Sequence, residues 1–176
     1  MMRCRVLMVI LTGTVSVGVS SRVIEASQDV GARKALGKTQ LELVVVYDPA
    51  SFVRAWDAPN RKDTLEIPAL DSLRREREFG VDVVFSDCQA GKDGRCALFA
   101  TYSILTMEGE QLVSMPDVPI WRNTPPPPGR RELGKGVWRT SSEVSDPLGE
   151  YLYRAVVVDR VSGQSVTLER RLPLVE

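Results

Sequence analysis

Two cysteines, Cys88 and Cys96, flank a short polar loop and are the most conspicuous reactive side chains of the sequence. The segments on either side of the loop are apolar and alternate in a way that is typical of β-strands. Residues that face each other across an antiparallel hairpin come within disulfide range, so we predict a disulfide that closes this loop. A redox-active or metal-binding pair is the alternative. The spacing is not Cys-x-x-Cys, however, and no histidine is present to complete a zinc site.

The complete absence of histidine excludes Ser-His-Asp triads, Cys-His dyads and every metal site with a histidine ligand. Paired carboxylates can hydrolyse glycosidic bonds without histidine, and three acidic residues lie near the cysteine loop: Asp82, Asp87 and Asp93. Two of them, Asp87 and Asp93, are also conceivable calcium ligands, although their spacing does not match an EF-hand. No catalytic motif surrounds these residues, so we predict no enzymatic activity and neither a cofactor nor a metal.

Aromatic and basic residues gather around a proline-rich stretch, residues 115–136, which includes four consecutive prolines at positions 125–128. A polyproline II segment cannot join the interior of a sheet, so we expect a stiff surface loop. Tryptophan and arginine are common anchors of protein interfaces. We therefore predict a partner-binding surface formed by Trp121, Arg122, Arg130, Arg131 and Trp138. The alternative is that the two indole rings cover the core, and the same two interpretations are open for Trp56.

Composition and the N-terminus indicate one soluble domain in an oxidising compartment. The chain has 176 residues, 43% hydrophobic, with a formal net charge of zero, which argues against nucleic acid as a partner. Residues 1–26 resemble a secretory signal peptide, with Arg3 and Arg5 before an apolar run; a retained membrane anchor is the alternative. Cys4 would leave with the signal peptide, and two cysteines would remain in a periplasmic or secreted protein. Residues 27–39 are polar and without periodicity, so we predict a flexible N-terminal segment before a single domain, residues 40–176.

The elements that must position these side chains are β-strands. About seven segments show strand patterns with turn residues between them, and no long helix is indicated, which predicts an all-β antiparallel sandwich. The clearest pairs are residues 79–106, expected to form a hairpin around the cysteine loop, and residues 151–174, expected to form the last hairpin.

The start of the last hairpin carries a family resemblance. Asp146-Pro147-Leu148-Gly149-Glu150-Tyr151, followed by a long apolar strand, a short turn and a last strand, resembles the E–F corner and F–G hairpin of immunoglobulin-like and fibronectin-III-like sandwiches. The resemblance implies an immunoglobulin-like fold and a tyrosine corner, in which the Tyr151 hydroxyl bonds back to nearby backbone. The disulfide of immunoglobulin domains joins the two sheets, whereas the pair predicted here closes a loop.

Because a fold alone does not define a function, the functional expectation depends on the candidate surface. We expect a non-enzymatic binding or structural module that contacts another envelope or extracellular protein, without nucleic acid and without a membrane span once the signal peptide is removed. The alternatives are a small-ligand or carbohydrate-binding protein and a carboxylate-based hydrolase.

Overall fold

The computed structural model describes residues 32–59, 61 and 66–176, so the predicted signal peptide, residues 1–26, lies outside the described residues. The described chain is mostly β, with one short helix. In chain order its elements are β1 (Arg33–Leu36), β2 (Thr39–Tyr47), α1 (Pro49–Trp56), β3 (Leu73–Arg74), β4 (Phe79–Ser86), β5 (Leu98–Thr106), β6 (Gln111–Trp121), β7 (Glu132–Leu133), β8 (Trp138–Thr140), β9 (Gly149–Asp159) and β10 (Gln164–Val175).

These strands form two five-stranded sheets. The first sheet has the order β1-β2-β4-β7, with β8 also pairing with β4, and all of its pairs are antiparallel. The second sheet has the order β3-β10-β9-β5-β6 and is mixed, because β3 runs parallel to β10. The β-rich prediction is confirmed. The finer prediction, about seven antiparallel strands in an immunoglobulin-like sandwich, is corrected to ten strands that do not form a clear immunoglobulin sandwich.

The predicted hairpin around the cysteine loop is not a hairpin, because β4 and β5 belong to different sheets. β4 pairs with β2, β7 and β8, whereas β5 pairs with β6 and β9. Alternation of side chains identifies the face of a strand but not its neighbour, so the sequence pattern was compatible with either pairing. The loop between them instead crosses from one sheet to the other.

The disulfide Cys88–Cys96 is present and spans this crossing, with 6.0 Å between the two Cα atoms. Both cysteines are buried in the main core. Since Cys88 follows a strand of the first sheet and Cys96 precedes a strand of the second, the bond ties together the corner at which the chain changes sheets.

Replacing both Cys88 and Cys96 with serine is expected to lower the free energy of unfolding by roughly 2–3 kcal/mol, because the unfolded chain regains the freedom of the open loop. Chemical denaturation of the oxidised wild type and the double variant would measure the difference. Added reductant should destabilise the wild type by a similar amount and leave the variant unchanged. Equal stability of oxidised and reduced wild type would contradict the expectation.

The main core lies between the two sheets. The first sheet contributes alternate residues of β2 and β4, and the second contributes alternate residues of β5, β9 and β10, as a period of two requires. Among the most deeply buried are Leu43, Val45, Val81, Val83, Phe85, Leu98, Tyr102, Ala155, Val157, Leu168 and Leu172.

A second, smaller core covers the other face of the first sheet. Asp48 caps the N-terminus of helix α1, where its side chain accepts a hydrogen bond from the Ser51 N–H at 3.1 Å, and Pro49 is the first residue of the helix. The helix packs the rings of Phe52 and Trp56, 5.5 Å apart, against the sheet. The buried members of this core are Val44, Val46, Phe52, Trp56, Val84 and Leu133. Trp56 is therefore a core residue.

Part of the predicted flexible N-terminal segment, residues 27–39, is ordered as a strand. β1 pairs with β2, from Arg33↔Glu42 to Leu36↔Thr39, and Gly37 takes the left-handed conformation that the connecting turn needs. Edge strands are mostly solvent-exposed, so a polar sequence without apolar alternation can still complete backbone pairing. Residues 27–31 lie outside the described residues.

The last hairpin is formed by β9 and β10, in register from Gln164↔Asp159 to Leu174↔Gly149. The Tyr151 hydroxyl donates to the Pro147 carbonyl at 2.6 Å. This is the backbone contact that the tyrosine-corner resemblance implies.

Candidate functional site

The structure does not bring the five residues of the predicted partner surface together on one exposed face. Trp138 is only 7% exposed and lies in the main core, where its ring is 6.5 Å from that of Tyr102. The pairing of Val81 with Trp138 places β8 beside β4 and turns the indole between the sheets. Trp138 is therefore removed from the candidate surface, and the interpretation that this indole covers the core is the one the structure supports.

Trp121 is half-buried at the end of β6, with its ring 5.3 Å from that of Phe85. Its indole N–H donates to the Thr124 carbonyl at 2.9 Å, so its polar atom is already bonded within the chain. Arg122 is exposed beside it. The remaining two residues of the predicted surface, Arg130 and Arg131, follow the proline loop and reach the first sheet.

Arg131 lines a cleft of about 450 Å³ beside β1, on the side of the first sheet that also carries α1. We call it the arginine cleft. The residues that line it are Arg33, Lys34, Ala35, Gln40, Leu41, Glu42, Val84, Phe85, Ser86, Gly129 and Arg131. Strand pairing sets most of them side by side, since Arg33 faces Glu42, and Glu42 faces Val84. A cleft of this volume is within the usual range for ligand sites.

The charge of the arginine cleft is positive. Glu42 accepts from Arg33 through Oε1 at 2.8 Å and from Arg131 through Oε2. Its carboxylate is thus shared between two guanidinium groups. Three positive side chains, including Lys34, and one negative side chain line the cleft, which leaves a net charge of +2.

A second carboxylate, Glu132, binds two further arginines next to the arginine cleft. It accepts from Arg61 at 3.2 Å and from Arg130 at 2.8 Å. The Arg61 side chain is almost fully buried, stacks 4.9 Å from the ring centroid of Trp56, and donates to the Arg131 carbonyl at 2.9 Å. The backbone of Arg131 is therefore held by a residue that the second core itself positions.

This arrangement suits an anion. A guanidinium has five N–H donors in a planar fork that matches a carboxylate, and the bond from Arg131 to Glu42 uses only one of them. The Arg131 side chain remains 34% exposed. An acidic ligand group that enters the cleft would meet donors that are already oriented, so it would lose little side-chain entropy on binding.

Sequence reasoning identified Arg130 and Arg131 but missed their partners, Arg33, Glu42, Arg61 and Glu132. One signal was available for Glu42, which is the one charged residue of strand β2. The others lie in polar stretches where nothing distinguishes them from ordinary surface charges.

Asp82, considered above as a catalytic carboxylate, is 2% exposed and lies at the seam between the two sheets. Its Oδ1 accepts from the Tyr102 hydroxyl at 3.0 Å and from the Val83 N–H at 2.7 Å. Its Oδ2 has no hydrogen-bond partner among the described residues. Burial raises the pKa of Asp82 to about 8, although both hydrogen bonds and the charge of Lys135 act to lower it.

The seam at Asp82 is closed by the segment between β7 and β8. The Gly134 N–H donates to the Val83 carbonyl at 2.9 Å, and the Lys135 N–H donates to the Ile120 carbonyl of the second sheet at 3.0 Å. No side chain fits at Gly134, where a Cβ atom would lie 2.5 Å from Asp82 Oδ1. The carboxyl group of Asp82 is thus closed off from solvent. Burial of the Tyr102 hydroxyl, together with the neighbouring Asp82, raises the pKa of Tyr102 well above its usual range.

The other two acidic candidates make local backbone contacts. Asp87 accepts from the Gly129 N–H at 2.8 Å, which ties the disulfide corner to the proline loop, and Asp93 accepts from the Arg95 N–H at 3.1 Å. Within residues 32–59, 61 and 66–176, no cluster of three or more cysteine and acidic residues is placed to hold a metal ion.

No protein-family model matches the sequence, and comparison with curated proteins finds no match. Among the described residues, no helix has the length and apolar character needed to cross a membrane. The disulfide indicates an oxidising compartment. A functional assignment for this chain must therefore come from the geometry of its own sites.

Proposed function

We propose that the protein is a non-enzymatic binding module, periplasmic or secreted, that recognises an acidic segment of a partner protein at the arginine cleft. The observation that carries the proposal is the net positive cleft in which the partly exposed Arg131 guanidinium is held in place by Glu42 and, through its backbone, by Arg61. The disulfide supports the compartment. The tyrosine-corner bond of Tyr151 supports an immunoglobulin-like origin of the last hairpin, although not of the whole fold.

An acidic polypeptide fits the cleft better than the alternatives. The aromatic residue among its lining, Phe85, is 1% exposed and offers no ring face on which a neutral sugar could stack. The hydroxyl of Ser86 and the amide of Gln40 add neutral hydrogen-bonding groups beside the arginines. A nucleic acid would demand a wider basic surface than one cleft in a chain of zero net charge.

Arg131→Gln is expected to weaken binding of an acetylated hexaglutamate peptide by about 10-fold or more, because one charge-assisted hydrogen-bonded pair is lost. Isothermal titration of the oxidised protein at low salt measures this change. Arg122→Gln removes the same charge from an exposed position that does not line the cleft, and it should retain wild-type affinity.

Hexaglutamine serves as the uncharged control peptide and is expected not to bind. The proposal is contradicted if the wild type does not bind hexaglutamate, or if Arg122→Gln and Arg131→Gln weaken binding equally. If the protein bound a neutral oligosaccharide but did not bind hexaglutamate, the carbohydrate-binding alternative would be favoured.

A further inference from the structure

The second sheet ends in a long exposed edge strand, β6, whose first half is unusually apolar. In this half Leu112 is 48% exposed, Val113 44% and Met115 40%. Native proteins normally protect the open edge of a sheet with lysine, proline or bulges, because an open edge can pair with another chain. Large exposed apolar side chains on such an edge are typical of an interaction site.

The features that protect β6 from pairing with another chain lie mostly in its second half. Pro116 and Pro119 flank Asp117, which has a left-handed backbone conformation, and the ladder to β5 is interrupted between Ala100 and Tyr102. The segment that closes the seam also covers this half. Residues 111–115 contain neither proline nor lysine. Their pairing with β5 is regular from Ile104↔Val113 to Tyr102↔Met115, and it shifts register once at Leu112, before Leu105↔Gln111.

A small groove of about 110 Å³ lies beside the unprotected half, between it and residues 140–142 that continue from β8. Leu112 and Val113 line one wall. Core side chains reach its base: Phe79, Ile104, Tyr151, Tyr153 and Leu174. The two sheets thus separate at this end of the seam, and an added strand on β6 could place alternate apolar side chains over the core.

The charges around the groove favour a basic partner. Residues 96–121 contain no lysine or arginine, whereas the turn before β6 contributes Glu108 and Glu110. Asp146 lines the groove from the opposite side. Asp117 is already paired with Arg160, and the Asp146 carboxylate accepts from the Glu143 N–H at 2.8 Å while Arg75 donates to the Asp146 carbonyl. The carboxylates that face a partner are therefore those of Glu108 and Glu110, at the groove end of the strand.

We infer that residues 111–115 of β6 accept an extended segment of a partner polypeptide, with alternating basic and apolar residues, as an additional antiparallel or parallel strand. Backbone hydrogen bonds to the open edge supply affinity, and the groove supplies selectivity for apolar side chains at every second position. This surface is separate from the arginine cleft, which belongs to the other sheet and prefers the opposite charge.

The test uses a seven-residue peptide of alternating lysine and valine, blocked at both ends, and oxidised full-length protein. Binding is followed by titration, and backbone amide shifts locate it. The wild type is expected to bind with shifts centred on residues 111–115. Val113→Lys should weaken binding at least tenfold, whereas Ala90→Lys, which adds the same charge on the exposed disulfide loop, should not.

Three controls make the outcome decisive. The same peptide with methylated backbone nitrogens along one edge should not bind, since it cannot complete the ladder. Met115→Lys should repeat the Val113→Lys result, with melting temperatures showing that both variants fold. Arg131→Gln should leave binding unchanged, which separates this site from the arginine cleft.

The inference is overturned if the unmodified peptide does not bind, if the methylated peptide binds equally well, or if Ala90→Lys weakens binding as much as Val113→Lys. It is also overturned if the peptide fails to bind and sedimentation shows a dimer that Val113→Lys converts to a monomer. In that case the occupant of the edge is a second copy of this chain.

Discussion

Asp82→Asn is expected to remove a steep loss of stability that the wild-type protein shows between about pH 4 and pH 8. The pKa of Asp82 is raised from 3.8 to about 8 in the folded chain because the carboxyl is buried. As the pH rises through this window, the unfolded chain releases the proton while the folded chain retains it. The folded state thus binds more protons than the unfolded state, and the free energy of unfolding decreases with pH. Below about pH 4 the full stability is present, and above about pH 8 the loss is complete.

The expected loss is on the order of 5 kcal/mol, since each unit of pKa difference corresponds to about 1.4 kcal/mol. This is a large part of the stability of a typical domain. Chemical denaturation at intervals from pH 4 to pH 9 would measure it in the wild type and in Asp82→Asn. The variant cannot ionise at this position, so its curve should be flatter and should meet or cross that of the wild type at alkaline pH.

Asp93→Asn is the matched control, because it makes the same chemical change on the exposed disulfide loop. Its pH profile should follow that of the wild type. If the free energy of unfolding of Asp82→Asn depended on pH as steeply as that of the wild type, Asp82 would be ionised in the folded protein. The seam between the sheets would then admit water.

Trp56→Ala is expected to lower the free energy of unfolding by about 3–5 kcal/mol, because it empties the centre of the second core. The indole is buried against the first sheet, contacts Phe52, and carries the stacked guanidinium of Arg61. Few other side chains hold α1 on the sheet, so the cavity cannot be filled by small shifts of a larger core. Urea denaturation followed by circular dichroism measures the change.

Trp56→Phe distinguishes packing from the indole N–H. The indole nitrogen has no hydrogen-bond partner among the described residues, so a phenyl ring removes an unsatisfied donor while it keeps most of the apolar contact. We expect Trp56→Phe to cost much less than Trp56→Ala. Loss of less than about 1 kcal/mol in Trp56→Ala would show that α1 does not depend on this contact.

Trp56 also connects the second core to the proposed binding site. Arg61 stacks on Trp56 and holds the Arg131 carbonyl, so the second core positions the arginine cleft from beneath. The predicted partner surface is accordingly revised. In the proposed surface Arg131 is central, and Arg130 contacts Glu132, which also binds Arg61. Trp138 lies in the main core and Trp121 packs against it.

The two proposed surfaces lie on different sheets and have opposite charge preferences. The arginine cleft presents guanidinium donors beside β1, and the open half of β6 presents backbone groups with carboxylates around them. A module of this kind can contact two segments of one partner or two different partners. The lysine–valine and hexaglutamate peptides test each surface independently.

Local patterns in the sequence were sufficient for the features that depend on neighbouring residues. The last hairpin follows from alternation, and the break in regular structure at residues 125–128 follows from the geometry of proline. The sequence pattern wrongly assigns residues 115–121 to the proline loop, because they continue strand β6. The pairing of Cys88 with Cys96 is predicted correctly, but the hairpin expected to bring them together is wrong. The signal peptide stays a prediction, because it lies outside the described residues.

Only the tertiary structure decided which strands are neighbours. β4 and β5 are close in sequence and both apolar, yet they belong to different sheets, because a strand buried on both faces can be completed by several partners of similar pattern. The strand pairing also decides which distant side chains come into contact. Arg131 and Glu42 are 89 positions apart, and Asp82 and Tyr102 meet across the seam, so no local periodicity could have joined them. Their contacts depend on how two sheets pack, which is a property of the whole buried surface.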